Sequence, residues 1–278
     1  MSGILYLCAT PIGNLKDITE RVLETLREVD LIAAEDTRNT LRLLTHFDIK
    51  KKMVSYHEHN KYEKAEDLIA ELLSGSSIAL VTDAGTPAIS DPGEVLVKRC
   101  MEEGIPVTSL PGACALITAL TLSGKSARRF CFEGFLPTNK KERREVLSAL
   151  AKEERTIVLY EAPHHLLSTL KELRETLGDR PLTICRELTK IHEEAVPTTL
   201  DEACSFYEKE TPRGEYVLVL AGADPAAKEE ERKEAYRDLA VKDHVAMYEE
   251  EGLDRKEAMR RVAKDRGISR REVYESLL

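Results

Sequence analysis

The chain has 278 residues, 42% of them hydrophobic and 33% charged, with no tryptophan and a formal net charge of −9. That length suits two α/β domains with an appendage, and the patterned, mixed composition excludes a disordered or fibrous chain. The opening MSGILYLCATPIGN has neither the basic start nor the long apolar stretch of a signal peptide, and the longest apolar run, ACALITALTL, is about half of a membrane span, so a cytoplasmic protein without a membrane segment is expected.

In chain order, ILYLCA (4–9) reads as a buried strand and ITERVLETLREV (18–29) as a helix with Val22, Leu23, Leu26 and Val29 on one face. The alternation continues through LIAA (31–34), a helix over 38–46, MVSY (53–56), a helix over 62–73, SIALVT (77–82), a helix over 92–102, PVTSL (106–110) and a helix from 113 to 122. Continuous apolar strands separated by helices predict a mainly parallel sheet covered on both faces, so 1–122 is read as a first α/β domain. GKSARR (124–129) has the composition of a linker.

A second alternating unit follows, read as an α/β domain over 123–224. Its strands are RFCFEGFL (129–136), TIVLYE (156–161), LTICREL (182–188) and EYVLVLAG (215–222), with helices over 139–151, 163–177 and 199–209 between them. Strand order and sense are open here. AGADPAAKEEE then reads as a solvated tether to a small helical domain over 225–278.

In that tail one helix carries Ala258, Val262 and Ala263, a break falls at Gly267-Ile268, and Ser269 precedes RREVYESL with Glu272 at the capping-box position. This is a helix-turn-helix outline. Residues 254–278 hold eight Lys+Arg against five Asp+Glu, whereas the rest of the chain holds 33 against 45. A basic tail on an acidic body implies a polyanionic partner for the tail, and Arg260, Arg261, Lys264, Arg270 and Arg271 are its candidate RNA-binding residues. The outline alone would equally suit duplex DNA.

Ligands of a parallel sheet bind where the carboxyl ends of its strands open. ATPIGN, AEDTRNT, SYHEHN, VTDAGTPAISDPG and LPGACA stand at five such ends, all polar or rich in glycine and proline. No G-x-G-x-x-G opens a helix and no P-loop or G-x-S-x-G is present. The six cysteines lie among apolar neighbours without C-x-x-C spacing, so no metal site is expected. The loops offer backbone amides, carbonyls and hydroxyls to a ligand held by shape.

ATPIGNLKDIT, AEDTR, VTDAGTPAISDPG and LPGACA, in this order and spacing and together with FEGFLP and LYEAPHHL, resemble the bacterial methyltransferases that 2′-O-methylate a cytidine in the decoding region of small-subunit ribosomal RNA, the RsmI group of the tetrapyrrole-methylase superfamily. The resemblance covers essentially the whole chain. It implies two α/β domains of the tetrapyrrole-methylase type, S-adenosylmethionine in the cleft between them, a homodimer, and ribosomal RNA or the small ribosomal subunit as partner. It also implies cofactor contacts at Pro11, Asp83, Gly85, Thr86, Ile89, Pro111, Ala113, Cys114 and Ala115. Backbone near Tyr160-Glu161, Leu188-Thr189 and Gly214-Glu215 would close over the adenine.

A ribose hydroxyl is a poor nucleophile unless its proton is accepted, so a base is sought among Glu35, Asp36, His57, Glu58 and Glu161. Asp36, Arg38 and Glu161 are taken as the catalytic candidates. For Asp36 a helix N-cap is an equal reading, for Arg38 a phosphate or carboxylate clamp. His164-His165 suit a helix start better than a metal. Two other functions fit parts of the chain: methylation of tetrapyrrole precursors explains the loops but not the tail, and a ligand-sensing DNA-binding regulator explains the tail but not the loops.

Overall fold

The computed structural model describes residues 2–224, 226, 230 and 234–278. They form two five-stranded sheets within one compact unit, Met1–Gly222, followed by a separate helical unit, Ala223–Leu278. The tether read at 221–231 lies partly outside the described residues.

The first sheet consists of β1 (Leu5–Cys8), β2 (Leu31–Ala34), β3 (Met53–Ser55), β4 (Ile78–Val81) and β5 (Val107–Leu110), in the order β3-β2-β4-β1-β5. Every pairing is parallel, with Leu5 in register with both Ile78 and Val107. Four of the strands are followed by helices α1 (Glu20–Glu28), α2 (Thr37–His46), α3 (Lys61–Leu73) and α4 (Gly93–Glu102), which cover both faces. Local chemistry starts two of them: the Thr19 hydroxyl accepts from the Val22 amide and the Asp36 carboxylate from that of Arg38, each satisfying a donor the helix leaves free.

Helix α5 (Ala115–Leu122) follows β5, but its apolar face does not return to the first sheet. Leu116, Ala119 and Leu120 are buried against Val158, Cys185, Val217 and Val219 of the second. That sheet contains β6 (Phe130–Phe135), β7 (Thr156–Glu161), β8 (Pro181–Arg186), β9 (Glu194–Thr199) and β10 (Tyr216–Leu220), in the order β6-β7-β10-β8-β9. Only β6 and β7 pair in parallel, with a bulge between Phe132 and Gly134; the other pairings are antiparallel. Helices α6 (Lys140–Leu150), α7 (Leu166–Leu177) and α8 (Leu200–Tyr207) cover its other face.

The expected two-sheet α/β architecture is therefore present, with one element that the sequence reading lacks. EAVPTT (194–199) is strand β9, a correction to the loop assumed before the helix at 199. It has no buried residue and carries Pro197, which an edge strand tolerates because only one side of it is hydrogen-bonded.

The tail unit holds α9 (Val241–Glu250), α10 (Arg255–Arg266) and α11 (Arg270–Glu275) around Val245, Tyr248, Ala258, Val262 and Val273. Gly267 ends α10 in the left-handed conformation, and Ser269 with Glu272 forms the expected capping box.

Candidate functional site

Because the first sheet is parallel, the exits of β1, β4 and β5 meet on one edge, and hydrogen bonds sew them together. Thr10 and Gly85 exchange both backbone bonds, at 2.9 and 3.0 Å. The Thr10 hydroxyl donates to Thr82 O and the Thr86 hydroxyl to Ala113 O. Gly85 has φ +89°, and a Cβ there would stand 3.3 Å from Ile12 Cγ2. Glycine is favoured by the backbone angle, and a side chain there would also press on Ile12. Ala88 and Ser90 also have positive φ, so this loop stores strain on the order of 1–3 kcal/mol per residue. It ends in a turn where Asp91 Oδ1 accepts from the Gly93 amide at 2.7 Å, as a residue serving the fold should.

These loops form one wall of a cavity of about 460 Å³. The ends of the second sheet form the other: Phe135 after β6, Tyr160 and Glu161 closing β7, Leu188 after β8, and Tyr216 and Val217 opening β10. Tyr160 ties the walls together, its hydroxyl accepting from the Leu116 amide of α5 at 3.1 Å, and burial pushes its phenol up to about 12. Gly134, in the β6 bulge, lies so near the strained loop that a Cβ on it would be 2.7 Å from Ser90 Oγ.

The cavity is apolar where Ile12, Ala115, Leu188 and Val217 face it and has carboxylates on both walls, Glu161 and Glu215 on one and Asp91, Glu35 and Asp83 on the other, the last two beside the exits of β2 and β4. There Glu35 Oε2 accepts from the Thr82 hydroxyl at 2.6 Å and the Asp83 amide at 3.3 Å, while Asp83 Oδ1 accepts from the Asp36 amide. Burial, and then the negative charge of Glu35, raises the pKa of Asp83. A flat base, ribose hydroxyls and a positive charge match this lining of apolar walls, backbone groups and carboxylates. S-adenosylmethionine has all three, and its group of residues here would be Ile12, Asp83 to Thr86, Ala115, Leu188 and Val217.

Of the residues expected at the cofactor, Asp83, Gly85, Thr86, Ile89, Cys114 and Ala115 line this cavity together. Pro11 lines a neighbouring recess with Asn39, Arg42 and Leu43, which shares Thr82 and Asp83 with the main cavity. Pro111 and Ala113 are outside the lining; Ala113 acts through its carbonyl, which holds Thr86. Among the catalytic candidates only Glu161 is in the wall. Both its oxygens are engaged, Oε1 by the Ala162 amide at 2.8 Å and Oε2 by the Thr169 hydroxyl at 2.5 Å, which anchors α7. Asp36 caps α2, and the hydrogen-bonded Arg38 guanidinium holds its carboxyl down to about 2, a weak base. Arg38 is exposed and pairs with it at 2.6 Å.

Of the other lining residues, the sequence reading held Glu35 only as a candidate base and Leu188 only in the backbone that the resemblance sets over the adenine, and it omitted Ile12, Phe135 and Val217. FEGFLP, quoted above only for the resemblance, contains Phe135. The five basic tail candidates, Arg260, Arg261, Lys264, Arg270 and Arg271, are all exposed, with Arg260 beside Glu257, Arg271 paired with Glu275 and Arg261 over the Tyr248 ring. Among the described residues no helix is long and apolar enough to cross a membrane, and no cluster is placed to hold a metal ion.

The fold has known counterparts. The structure of Thermus thermophilus uroporphyrin-III C-methyltransferase complexed with S-adenyl homocysteine aligns with a TM-score of 0.57 over 79% of this chain and 97% of that one, at 20% identity. Diphthine synthase aligns with a TM-score of 0.61 over 79% and 90%, at 16% identity. The model of the tetrapyrrole (corrin/porphyrin) methylases matches residues 5–204. Ribosomal RNA small subunit methyltransferase I of Synechocystis sp. is 50% identical over 98% of this chain and 96% of its own length. The Bacillus subtilis protein of that name is 46% identical over 99% and 94%. The one from Thermotoga maritima is 49% identical over 222 residues, which are 80% of this chain and 100% of that protein. The chain belongs to the tetrapyrrole methylase family and, within it, to the group of ribosomal RNA small subunit methyltransferase I.

Proposed function

We propose that the chain transfers the methyl group of S-adenosylmethionine to the 2′-hydroxyl of a cytidine in the decoding region of small-subunit ribosomal RNA, acting in the cytoplasm as a homodimer. The observation that carries the reading is the cavity between the two sheets, apolar along much of its lining with Glu35 and Asp83 together on one side, in a chain of this group.

When bound, S-adenosylmethionine supplies an electrophilic methyl on a positively charged sulfur, and the chemistry is its own. The protein's part is to bind, orient and exclude water. Ile12, Leu188 and Val217 remove the apolar base from solvent. Asp83 and Glu35 give the positive end a negative field, and the backbone at Gly85 comes within reach because that residue has no side chain. As the oxygen–methyl bond forms, the methyl's bond to sulfur breaks, the electron pair stays on sulfur in neutral S-adenosylhomocysteine, and the ribose hydroxyl proton is released to solvent. Asp36, held ionised by Arg38, is too weakly basic to accept that proton and serves to fix the start of α2 and the position of Asp83. The exposed cations of α10 and α11 add affinity for phosphate without entering the reaction.

The test is transfer of labelled methyl from S-adenosylmethionine to small-subunit RNA and to assembled subunits, with the product nucleotide mapped. Incorporation at a cytidine ribose is expected. Firm cofactor binding with no transfer to either RNA substrate would overturn the reading.

A further inference from the structure

The body is acidic overall, yet one concavity on it reverses the sign. It has a volume of about 740 Å³ and lies at the end of the second sheet where Thr156 begins β7 and Ala221-Gly222 follow β10. The cleft proposed for methyl transfer is at the other end of the same strands, where β7 closes with Glu161. A six-residue strand separates the two by roughly 17–20 Å.

Lys125, Arg128, Arg129, Lys152 and Arg155 line the concavity, with Glu153 and Glu154 as its carboxylates. Arg155 and Glu153 neutralise each other through two bonds at 2.9 and 2.7 Å. Four cations therefore face Glu154, and none of the four is in an ion pair among the described residues. Other cations of the body also stand outside ion pairs, but here four are gathered in one concavity, whereas Arg38, Arg99, Arg143 and Arg174 close on neighbouring carboxylates. Lys125 is partly buried with its ammonium donating to the Thr183 hydroxyl, a charge withdrawn from water and given no counter-charge.

The segment carrying three of these cations is fixed to the second sheet and is no loose linker. Thr183 Oγ1 donates to Ser123 O at 3.0 Å, Thr156 Oγ1 to Ser126 O at 2.8 Å, and the Lys125 amide to Ser123 Oγ at 3.1 Å. The backbone under Arg128 and Arg129 is thus pre-positioned, which lowers the entropy cost of holding a ligand.

We infer that this basic shelf is a docking surface for the phosphodiester backbone of the RNA substrate, distinct from the tail and from the methyl-transfer cleft; the inference rests on the ribosomal RNA reading above. Arginine and lysine without carboxylate partners suit phosphate oxygens. No aromatic side chain lines the shelf, so it holds RNA in register without reading bases. The Thermotoga maritima relative supports a role for the body, since it is matched over its whole length and leaves a fifth of this chain without a counterpart. A match of 222 residues has to include most of the unit Met1–Gly222. Contacts this far from the reacting atoms bind ground state and transition state alike, so they act on KM and leave kcat alone.

The experiment compares Arg128→Ala/Arg129→Ala with Lys50→Ala/Lys98→Ala, which removes the same charge from exposed sites elsewhere on the body. S-adenosylmethionine affinity, RNA affinity across a salt series and steady-state methylation of small-subunit RNA are measured on the full chain. The shelf variant is expected to bind S-adenosylmethionine as the parent does, to lose about tenfold in RNA affinity with KM rising alongside at unchanged kcat, and to lower the salt slope by roughly 1.5. The Lys50/Lys98 variant should stay near the parent. RNA affinity and salt slope unchanged in the shelf variant, or lowered equally in both, would overturn the inference. A parent protein that neither binds nor methylates the RNA removes the functional reading itself, a result separable from the other two.

Discussion

The two sheets build opposite walls of one cavity by different means. In the first, every strand runs the same way, so its loops after β1, β4 and β5 arrive on one edge automatically and need only to be sewn together. In the second, the carboxyl ends of β6, β7 and β8 share an edge with the amino end of β10, because β10 runs against its neighbours. The parallel wall combines backbone and strained turns with the side chains of Ile12, Glu35 and Asp83, and the mixed wall presents mainly side chains, Phe135, Tyr160, Leu188 and Val217 among them. Close approach of backbone to a ligand therefore belongs to the first sheet, and most of the apolar cover to the second.

The largest effect expected from this contrast is at Gly85. Gly85→Val should abolish measurable S-adenosylmethionine binding by calorimetry while the far-ultraviolet circular dichroism persists, because the side chain meets Ile12 in a backbone conformation it cannot adopt. Gly178, also at positive φ (+79°) but with open space around it, is the matched control on the other sheet. Gly178→Ala should cost about 1–3 kcal/mol of stability, because the C-cap of α7 has φ +79° and ψ −174°, and should leave binding intact. Equal losses of binding at both positions would erase the distinction between the walls.

Next in size is Leu120→Ala. This residue of α5 belongs by position to the first sheet and by packing to the second, so removing its buried side chain should cost about 2–4 kcal/mol. A single thermal transition shifted downward as a whole is expected. Separate melting of two halves would show that the sheets are less coupled than α5 and the Tyr160 hydrogen bond imply.

A smaller effect is expected where Glu35 and Asp83 stand together. Asp83→Asn keeps the acceptor for the Asp36 amide but removes the charge, and should weaken S-adenosylmethionine by roughly tenfold and the uncharged-sulfur product S-adenosylhomocysteine by less. In the parent, S-adenosylmethionine affinity should fall as pH drops through the raised pKa of Asp83; titration calorimetry of the variant should lack that limb. Stability moves the other way. A folded-state pKa above the unfolded value means that ionised Asp83 costs stability at neutral pH and ceases to do so in acid. The ligand-free Asn variant should therefore melt slightly higher at pH 7, by less than about 1 kcal/mol, and match the parent at low pH.

The same contrast explains which parts could be read from sequence. Parallel strands buried on both faces are continuous apolar runs with decorated exits, so β1, β2, β4 and β5 and the loops that follow them were visible from pattern, while Asp83, Gly85 and Thr86 were singled out within those loops by the family resemblance. Strand β9 was not, because an exposed edge strand containing Pro197 looks like a loop. Val217 comes to the same end as Leu188 because β8 and β10 run oppositely, a relation that lies in pairing and not in local sequence. Asp36 shows another limit: its position after β2 marked it for chemistry or capping, and only the bonds to Arg38 show how fully the cap occupies it.

Gly134 and Ser90 are 44 positions apart in the chain, one in the β6 bulge and one in the strained loop, yet a single methyl group on the first would collide with the second. A residue other than glycine at the bulge makes the Ser90 hydroxyl turn away and, at φ +63°, also carries the cost of the left-handed backbone. A chimera that joins the first sheet of this protein to the second sheet of a relative should therefore lose about 1–2 kcal/mol of stability where the donor lacks glycine at the bulge, whatever the overall identity of the parents.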